Sequence, residues 1–441
     1  MEDTVVALSS PIGEAGVCVI RISGSKTKEA FLKLSRSKKP PLTRRATNLN
    51  LYGEKNLIDS VIYIFFESPS SYTGEDVLEI HSHGGQFIPS LILKETLKYV
   101  DRIADPGEFT KRAFLNGKIN LQQSESVIDL IHSKSEHELN AALKCYTGQA
   151  SVVFNRISKK LFDLRSEIEA LIDFSEEEIN INVTHLYNIL KTIQEELEPL
   201  IEAAQKGNKL RQLPTIVLRG RPNVGKSTLF NRLTQKDSAI VTNIPGTTRD
   251  IIKDDFELSG QQFHIFDTAG IRESSDPIEK IGIKKTLDYA KEADIIINVY
   301  DPLDLTKNLN LKIQSYDAQN HQKEINLFNK SDQIQPTKIK HELEELIFTS
   351  EKDKNSLSLA KDAIKKLITP EEKDALFLAN ERQLQCLKRA HKHLLSIFPG
   401  IQVDLFAELL KLAHEEICRI TGEITTEDIL GQIFSKFCVG K

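Results

Sequence analysis

The sequence predicts a multidomain chain: an α+β domain, then a helical domain that is interrupted by an inserted α/β domain with a doubly wound sheet. Three changes of pattern carry that prediction. Residues 1 to about 118 mix short β-runs with turn signals. From 119 the apolar residues fall at helical spacing. Between 212 and 369 strands alternate with helices, and a helical pattern then returns from 370 to 441. Helices on both sides of an α/β segment point to one helical domain split by an insertion, with parts at 119–211 and 370–441. A chain of 441 residues has room for about three domains of roughly 150 residues.

In the first domain Thr4–Leu8, Val17–Ile22, Val61–Phe66 and Val77–His81 are rich in β-branched and aromatic residues and predict strands, while Phe87–Tyr99 has helical spacing. Phe154, Ile157, Leu161, Leu164, Ile168 and Leu171 recur every three or four residues and share one helix face. Leu186, Leu190, Ile193, Leu197 and Leu200 do the same on a second helix. In the insertion the apolar runs Thr215–Leu218, Ile265–Phe266, Ile295–Tyr300, Ile325–Phe328 and Leu346–Phe348 are too short for helices and predict the strands of the sheet. Thr425, with Asp428 three residues on, predicts a capped start for the last helix.

Forty per cent apolar and 27% charged residues describe a globular protein with a real core. No run approaches the roughly 18 apolar residues of a membrane span, and Met1-Glu2-Asp3 lacks the basic start of a secretory signal. The five cysteines, Cys18, Cys145, Cys386, Cys418 and Cys438, are scattered and form no C-x-x-C pair. That argues against a disulfide or zinc framework and for a reducing, cytoplasmic setting. The net charge of −5 neither proposes nor excludes a nucleic-acid partner, because a local basic face can sit inside an acidic total. The basic stretch Lys38-Lys39 with Arg44-Arg45 favours a solvated loop over a nucleic-acid site.

The most informative stretch is Gly220-Arg-Pro-Asn223-Val224-Gly225-Lys226-Ser227, which fits G-x-x-x-x-G-K-[ST] between a predicted strand and a helix beginning near Thr228. Successive backbone N–H groups and the helix N-terminus then cradle a polyphosphate, Lys226 reaches the β- and γ-phosphates, and the Ser227 hydroxyl meets Mg²⁺. Asp267-Thr268-Ala269-Gly270 closes a later strand, with Asp267 directed at Mg²⁺ through water and the Gly270 N–H at the γ-phosphate. Asn329-Lys330-Ser331-Asp332 closes another. The Asp332 carboxylate can accept both the ring N–H and the amino group of guanine; adenine presents a lone pair there and leaves the carboxylate unpaired. These elements, each at a strand end and in this order, predict a Ras-like P-loop GTPase domain. Between them, Thr248 in Gly246-Thr247-Thr248-Arg249-Asp250 completes the Mg²⁺ shell. Ile271 stands where small GTPases place a water-orienting glutamine, so hydrolysis must recruit another group, a partner or a cation. Glu279 is the candidate for positioning water; an exposed helix-start glutamate is the plainer alternative.

Outside that domain the chain resembles the MnmE (TrmE) family of tRNA-modification GTPases from end to end. The segments Val17-Cys-Val-Ile-Arg-Ile-Ser-Gly24, Tyr72-Thr-Gly-Glu-Asp-Val-Leu-Glu-Ile-His-Ser-His-Gly-Gly85, Pro106-Gly-Glu-Phe-Thr-Lys-Arg-Ala-Phe-Leu-Asn-Gly-Lys118 and Cys438-Val439-Gly440-Lys441 carry the likeness. The resemblance implies a homodimer joined through N-terminal domains that bind 5-formyltetrahydrofolate or methylene-tetrahydrofolate, with GTPase domains that meet in a potassium-dependent way. It implies an FAD-dependent partner of the MnmG (GidA) type, in a heterotetramer or larger complex. That complex adds an aminomethyl or carboxymethylaminomethyl group to carbon 5 of the wobble uridine of tRNA. By residue it implies potassium at Asn223, helped by Thr242, Ile244 and Thr247, within a nucleotide loop that also includes Asn243 and Pro245. It implies water orientation by Glu279 and folate contacts at Arg21, Glu79, Lys118 and Lys441. An arginine and two lysines suit the anionic tail of a folate, and Glu79 suits pterin N–H groups.

The resemblance also ties Cys438 to the modification reaction, as nucleophile or acid/base if folded beside the folate pocket; the other four cysteines sit in apolar patterns and predict packing. His81 and His83 alternate on a strand and so share a face, which suits structural or folate-side hydrogen bonding better than a metal with no third ligand. The chain departs from the family pattern at Pro11-Ile-Gly-Glu-Ala-Gly16, which is less glycine-rich, and at Thr349-Ser350-Glu351-Lys352, where Ser350 stands as the guanine-side residue. The competing expectation is a GTPase switch that escorts RNA or ribosome assembly without modification chemistry. Arg21, Glu79, Lys118 and Cys438 favour the modifying subunit, since a bare switch needs none of them.

Overall fold

The computed structural model describes residues 3–11, 13–54, 56–173, 183–210, 213–221, 223–234, 253–258, 261–267, 293–302, 323–333, 347–350, 352–353, 355–368 and 379–441. The chain divides into two compact units. One comprises Met1–His132, Ala141–Asn208 and Leu376–Lys441; the other comprises Ser133–Asn140 and Lys209–Ala375.

The first unit begins with six strands, β1 (Val5–Leu8), β2 (Cys18–Ser23), β3 (Thr47–Tyr52), β4 (Leu57–Phe66), β5 (Val77–Ser82) and β6 (Arg102–Ile103). They form one sheet in the order β3-β4-β5-β2-β1-β6. Alternation sorts the side chains onto two faces. Ile20, Ile22, Val61, Tyr63, Phe65, Leu78 and Ile80 point to one face, under α1 (Thr27–Ser35) and α2 (Phe87–Thr96), where Phe31, Leu34 and Ile92 meet them. Each such side chain contributes about 1.5–3 kcal/mol on burial. Their neighbours Arg21 and Glu79, paired in register across β2 and β5, point the other way. Behind that second face stands α3 (Glu108–Leu115), whose Phe109 packs with Val5, Ala7 and Tyr72.

Among the described residues seven further helices belong wholly or partly to this unit: α4 (Leu121–His132), α5 (Glu136–Tyr146), α6 (Gln149–Asp173), α7 (Val183–Leu210) and, after the second unit, helices 381–395, 403–421 and 427–434. The periodic residues of α6 from Phe154 to Ile168 and of α7 from Leu186 to Leu200 are buried, as their spacing requires; Leu171, at the end of α6, is only half-buried. The last helix starts one residue later than its sequence pattern suggests. Thr426, not Thr425, is the N-cap, because its extended backbone lets the hydroxyl oxygen accept from Ile429 N. Among the described residues no helix is long and apolar enough to cross a membrane.

The second unit has strands β7 (Thr215–Arg219), β8 (Lys253–Leu258), β9 (Gln261–Asp267), β10 (Ile295–Tyr300), β11 (Lys323–Phe328) and β12 (Ile347–Phe348) in the order β12-β11-β10-β7-β9-β8. All pairs are parallel except β8–β9. On one face Ile216, Leu218, Ile295 and Ile297 pack against Leu229, Phe230 and Leu233 of α8 (Lys226–Thr234) and Ala360 and Ile364 of α9 (Ser356–Ile368). Val217, Phe266 and Ile296 form a separate buried cluster with Ala293 on the other face.

Among the described residues the largest fully buried side chain is charged. Arg112 of α3 donates to Asp3 O, Asp3 Oδ1, Glu75 Oε2 and Glu108 Oε1 at 2.8–3.0 Å. Glu108 also accepts from Arg102 and from the Asp105 N–H, each at 2.7 Å. Burial pushes the Glu108 carboxyl up, but these donors outweigh it and hold the group down at about 2. Because the folded value is depressed, the stabilisation is complete above the ordinary value of 4.5 and is lost as pH falls towards 2. Glu108→Gln is therefore expected to cost about 3 kcal/mol at pH 7 and far less at pH 2.5. Urea denaturation at the two pH values measures this, and equal losses would remove Glu108 as the source.

Candidate functional site

Two sets of chemistry-bearing residues emerge, one in each unit. In the second unit the chain leaves β7 and turns to opposite sides for β9 and β10, so the crevice beyond the C-terminal end of β7 lies where the strand order reverses. Ligands of open parallel sheets bind at such a point. The loop 220–225 occupies it. Gly220 must be glycine because a Cβ would stand 2.2 Å from Val299 O, and Gly225 because its φ is +95° and a Cβ would meet Asn329 Nδ2 at 2.1 Å. Asn223 also takes a left-handed backbone, with φ of 64°. Lys226 is buried, and its ammonium donates to Gly220 O at 2.7 Å and Arg221 O at 2.8 Å, which keeps the charge over the loop. Ser227, one residue on, is exposed at the start of α8, and Val224 is buried beneath the loop.

Asn329, at the end of β11, does something the sequence does not reveal. Its amide donates to Val224 O at 3.2 Å and Gly225 O at 3.3 Å while its own oxygen accepts from Thr349 Oγ1. Lys330 reaches the same loop, donating to Asn223 O at 2.6 Å and pairing with Asp301. Asp332 is exposed beside them; Lys352 and the Ser350 hydroxyl, each at 2.8 Å, hold its carboxyl below the usual range. Ser350 itself is fixed by Ser356 Oγ on its N–H and Arg232 on its carbonyl. The structure thus brings Asn223, Val224, Gly225, Lys226, Asn329, Lys330, Asp332 and Ser350 onto one edge of the sheet. Lys352, Thr349 and Arg232 were not singled out from sequence as functional, and only Lys352, beside Ser350, carried any signal there. Asp267 ends β9, level with Leu218 of β7. Thr242, Asn243, Ile244, Pro245, Gly246, Thr247, Thr248, Thr268, Ala269, Gly270, Ile271 and Glu279 lie outside the described residues, as does the side chain of Asp267.

In the first unit Arg21 and Glu79 form a fork: Arg21 Nε and Nη2 both donate to Glu79 Oε1, at 3.0 and 2.8 Å. The guanidinium lies over the rings of Phe109 and Tyr72, at 5.5 and 5.9 Å. The Tyr72 hydroxyl bonds Thr110, and burial pushes its pKa up. Residues 438–441 fold back here. Gly440 O accepts from Ser9 Oγ at 2.9 Å and Arg21 Nη1 at 3.4 Å; Gly107 N donates to Cys438 O and Phe109 N to Lys441 O. Lys118 anchors on the adjoining turn through Pro69 O at 2.9 Å. Arg21, Glu79 and residues 438–441 therefore share one place, and Cys438 is exposed there while the other four thiols are buried. Burial lifts Cys386 and Cys418 to about 11, which keeps those two protonated at neutral pH.

The two histidines divide. His83 Nδ1 bonds Asp59 at 2.7 Å. His81 Nε2 is a buried atom with no hydrogen-bond partner, 3.6 Å from Glu79 Oε2. Such an orphan beside a fork with spare acceptor capacity suits a heterocycle with both donors and acceptors.

The family model described as the GTP-binding protein TrmE N-terminus matches residues 4–118, and that of the MnmE helical domain matches residues 121–438. The chain is 39% identical to the tRNA modification GTPase MnmE of Francisella philomiragia, covering 100% of this chain and 99% of that one. The corresponding protein of Legionella pneumophila (strain Paris) gives the same identity and the same two shares. Among solved structures, the FeoB G-domain from Methanococcus jannaschii is 27% identical over 35% of this chain and 98% of its own, with a TM-score of 0.26.

Asn329→Ala would strip the Val224 and Gly225 carbonyls of their buried donor and is expected to cost about 1–3 kcal/mol. Thermal denaturation followed with and without a guanine nucleotide measures it; a variant as stable as the wild type would refute the tie.

Proposed function

The chain belongs to the MnmE family of tRNA modification GTPases, and from that premise we propose its part in the reaction. It is the potassium-dependent, GTP-hydrolysing subunit of a complex with an FAD-dependent protein of the MnmG type. The complex attaches an aminomethyl-type group to carbon 5 of the wobble uridine, drawing its carbon from a formyl- or methylene-tetrahydrofolate.

The observation that carries this proposal is the Arg21–Glu79 fork, its aromatic walls and the residues 438–441 packed upon it. A nucleotide switch has no use for them. Glu79 and the unpartnered His81 nitrogen fit the mixed donors and acceptors of a pterin, and Arg21 with Lys118 and Lys441 fits the carboxylate tail of the folate that carries it. The folate supplies a one-carbon unit. Cys438, the exposed thiol at this place, is the chain's nucleophile or proton carrier. In the second unit Lys226 binds the β- and γ-phosphates by exchanging its loop carbonyls for them, and Ser227 and Thr248 hold Mg²⁺ with Asp267 behind. Asp332, steadied by Ser350 and Lys352, accepts the two guanine N–H groups. Asn223, with Thr242, Ile244 and Thr247, takes potassium, and Glu279 orients water in place of the missing glutamine. The N-terminal domains join two copies, a role supported by Phe87 and Leu91, one turn apart on α2 and both exposed.

Cys438→Ser in cells is expected to leave wobble uridines unmodified while GTP turnover of the purified chain persists. Nucleoside mass spectrometry decides this, and normal modification would reject the thiol's role. GTP turnover should also be much faster in potassium than in sodium at equal ionic strength; equal rates would remove Asn223 as a cation ligand.

A further inference from the structure

From Ala30 to Gly53 the chain carries Lys33, Arg36, Lys38, Lys39, Arg44 and Arg45 and not one aspartate or glutamate. The sequence alone favours a solvated loop for Lys38-Lys39 with Arg44-Arg45. The structure adds three facts. First, all six cations are exposed, and none pairs with a carboxylate among the described residues. Of the acids nearby, Glu54 and Glu95 are taken by Lys98 and Glu67 and Asp76 by Lys28, which leaves Glu29, one turn before Lys33 on α1, against the six cations. The positive charge is therefore not cancelled locally, although the whole chain is acidic.

Second, the loop is held in shape by neutral groups. Arg36 donates to Gly53 O at 2.8 Å and Glu54 O at 3.1 Å, with its guanidinium 4.6 Å from the Tyr52 ring centroid. Arg44 donates to Ser70 O at 2.6 Å over the Phe66 ring, and its N–H bonds Phe65 O. Pro41 is buried, and Leu42 N donates to the Tyr63 hydroxyl. Both arginines keep their charge and further N–H donors while their aromatic seats fix them, so less conformational entropy is lost on binding. Third, the loop leads into β3, the edge strand of the sheet, which exposes the amides of Asn48 and Asn50.

Anchored guanidinium groups, exposed ammonium groups without a carboxylate partner and side-chain amides on an edge are suited to gripping a sugar–phosphate backbone without reading bases. We propose that the surface 33–50, with Lys38, Lys39 and Arg45 among its unanchored cations, docks the phosphate backbone of the tRNA substrate. It rests on the tRNA-modifying role proposed above and names a surface through which that role reaches its substrate. Charge complementarity selects a polyanion; an acidic lipid surface has the same sign, but a bilayer offers nothing for the edge-strand amides to recognise.

The test compares the full-length wild type with K38A/K39A/R45A and with K388A/K392A/K411A, which removes three exposed lysines from the helices 381–395 and 403–421. Arg36 and Arg44 are left intact because they hold the loop. Binding of a transcribed tRNA is followed by fluorescence anisotropy across a potassium chloride series. The loop variant should lower the slope of log affinity against log salt by about 2 to 3, equally for unrelated tRNAs. The helix variant should keep the wild-type slope, and GTP turnover without tRNA should be the same in all three. A wild-type slope in the loop variant, an equal fall in both variants, or a wild-type chain that does not bind tRNA would each overturn the surface. So would a loop variant that loses only its binding to phosphatidylserine vesicles. Wobble-uridine modification is scored separately in cells: if the wild-type chain cannot support it, the proposed function fails; a modifying chain with an unchanged loop-variant slope loses only this surface.

Discussion

Residues 438–441 can lie against the first sheet only because position 440 is a glycine. Its φ is +95°, and any Cβ there would stand 2.2 Å from Leu8 O. That close approach lets Gly440 O take hydrogen bonds from Ser9 and Arg21, and the flanking carbonyls take the Gly107 and Phe109 N–H groups. Gly107 is constrained in the same way from the other side, since a Cβ there would strike Phe437 and Phe434 O. Two glycines far apart in sequence thus allow one main-chain seam, and the seam fixes what stands next to the Arg21–Glu79 fork. Without it Cys438 would be an unplaced surface thiol.

The fork and the buried Arg112 cluster show the same electrostatic logic at two depths. Arg112 is wholly enclosed, so it needs three carboxylates' worth of acceptors around it, and removing any one of them leaves charge stranded in a poor solvent. Arg21 is only partly enclosed and shares a single carboxylate oxygen, with two aromatic rings completing its surroundings. The first arrangement is closed and structural. The second leaves Glu79 Oε2 and the His81 nitrogen with capacity to spare.

What could be read from the sequence follows from how strongly each element repeats. The long helices α6 and α7 were legible because a three-four spacing sustained over five or six apolar residues has no other geometry, and the phosphate loop because its spacing is set by the ligand. The strands β3 and β8 were not: Thr-Asn-Leu-Asn-Leu-Tyr and Lys-Asp-Asp-Phe-Glu-Leu lie at sheet edges, where one side faces water and polar residues dilute the β-signal. Helix α1 was missed because nine residues give too few turns for a period to show. The resemblance singles out Arg21 and Glu79 as folate contacts, but that the two pair with each other across β2 and β5 is visible only in the structure. The Arg112 cluster was not legible, because Glu108 and Arg112 four apart look like an ordinary surface pair, and nothing local says that Asp3 and Glu75 arrive to bury them.

The bonds from Asn329 and Lys330 to the carbonyls of residues 223–225 tie the segment proposed to meet the base to the loop proposed to meet the phosphates. On those assignments the two ends of a nucleotide do not find independent subsites. Ordering the loop has already been accomplished by folding, so neither end has to meet that entropic cost on arrival, and loss of contact at one end is felt at the other. On those assignments, loosening the loop would also release the Asn329 and Lys330 side chains.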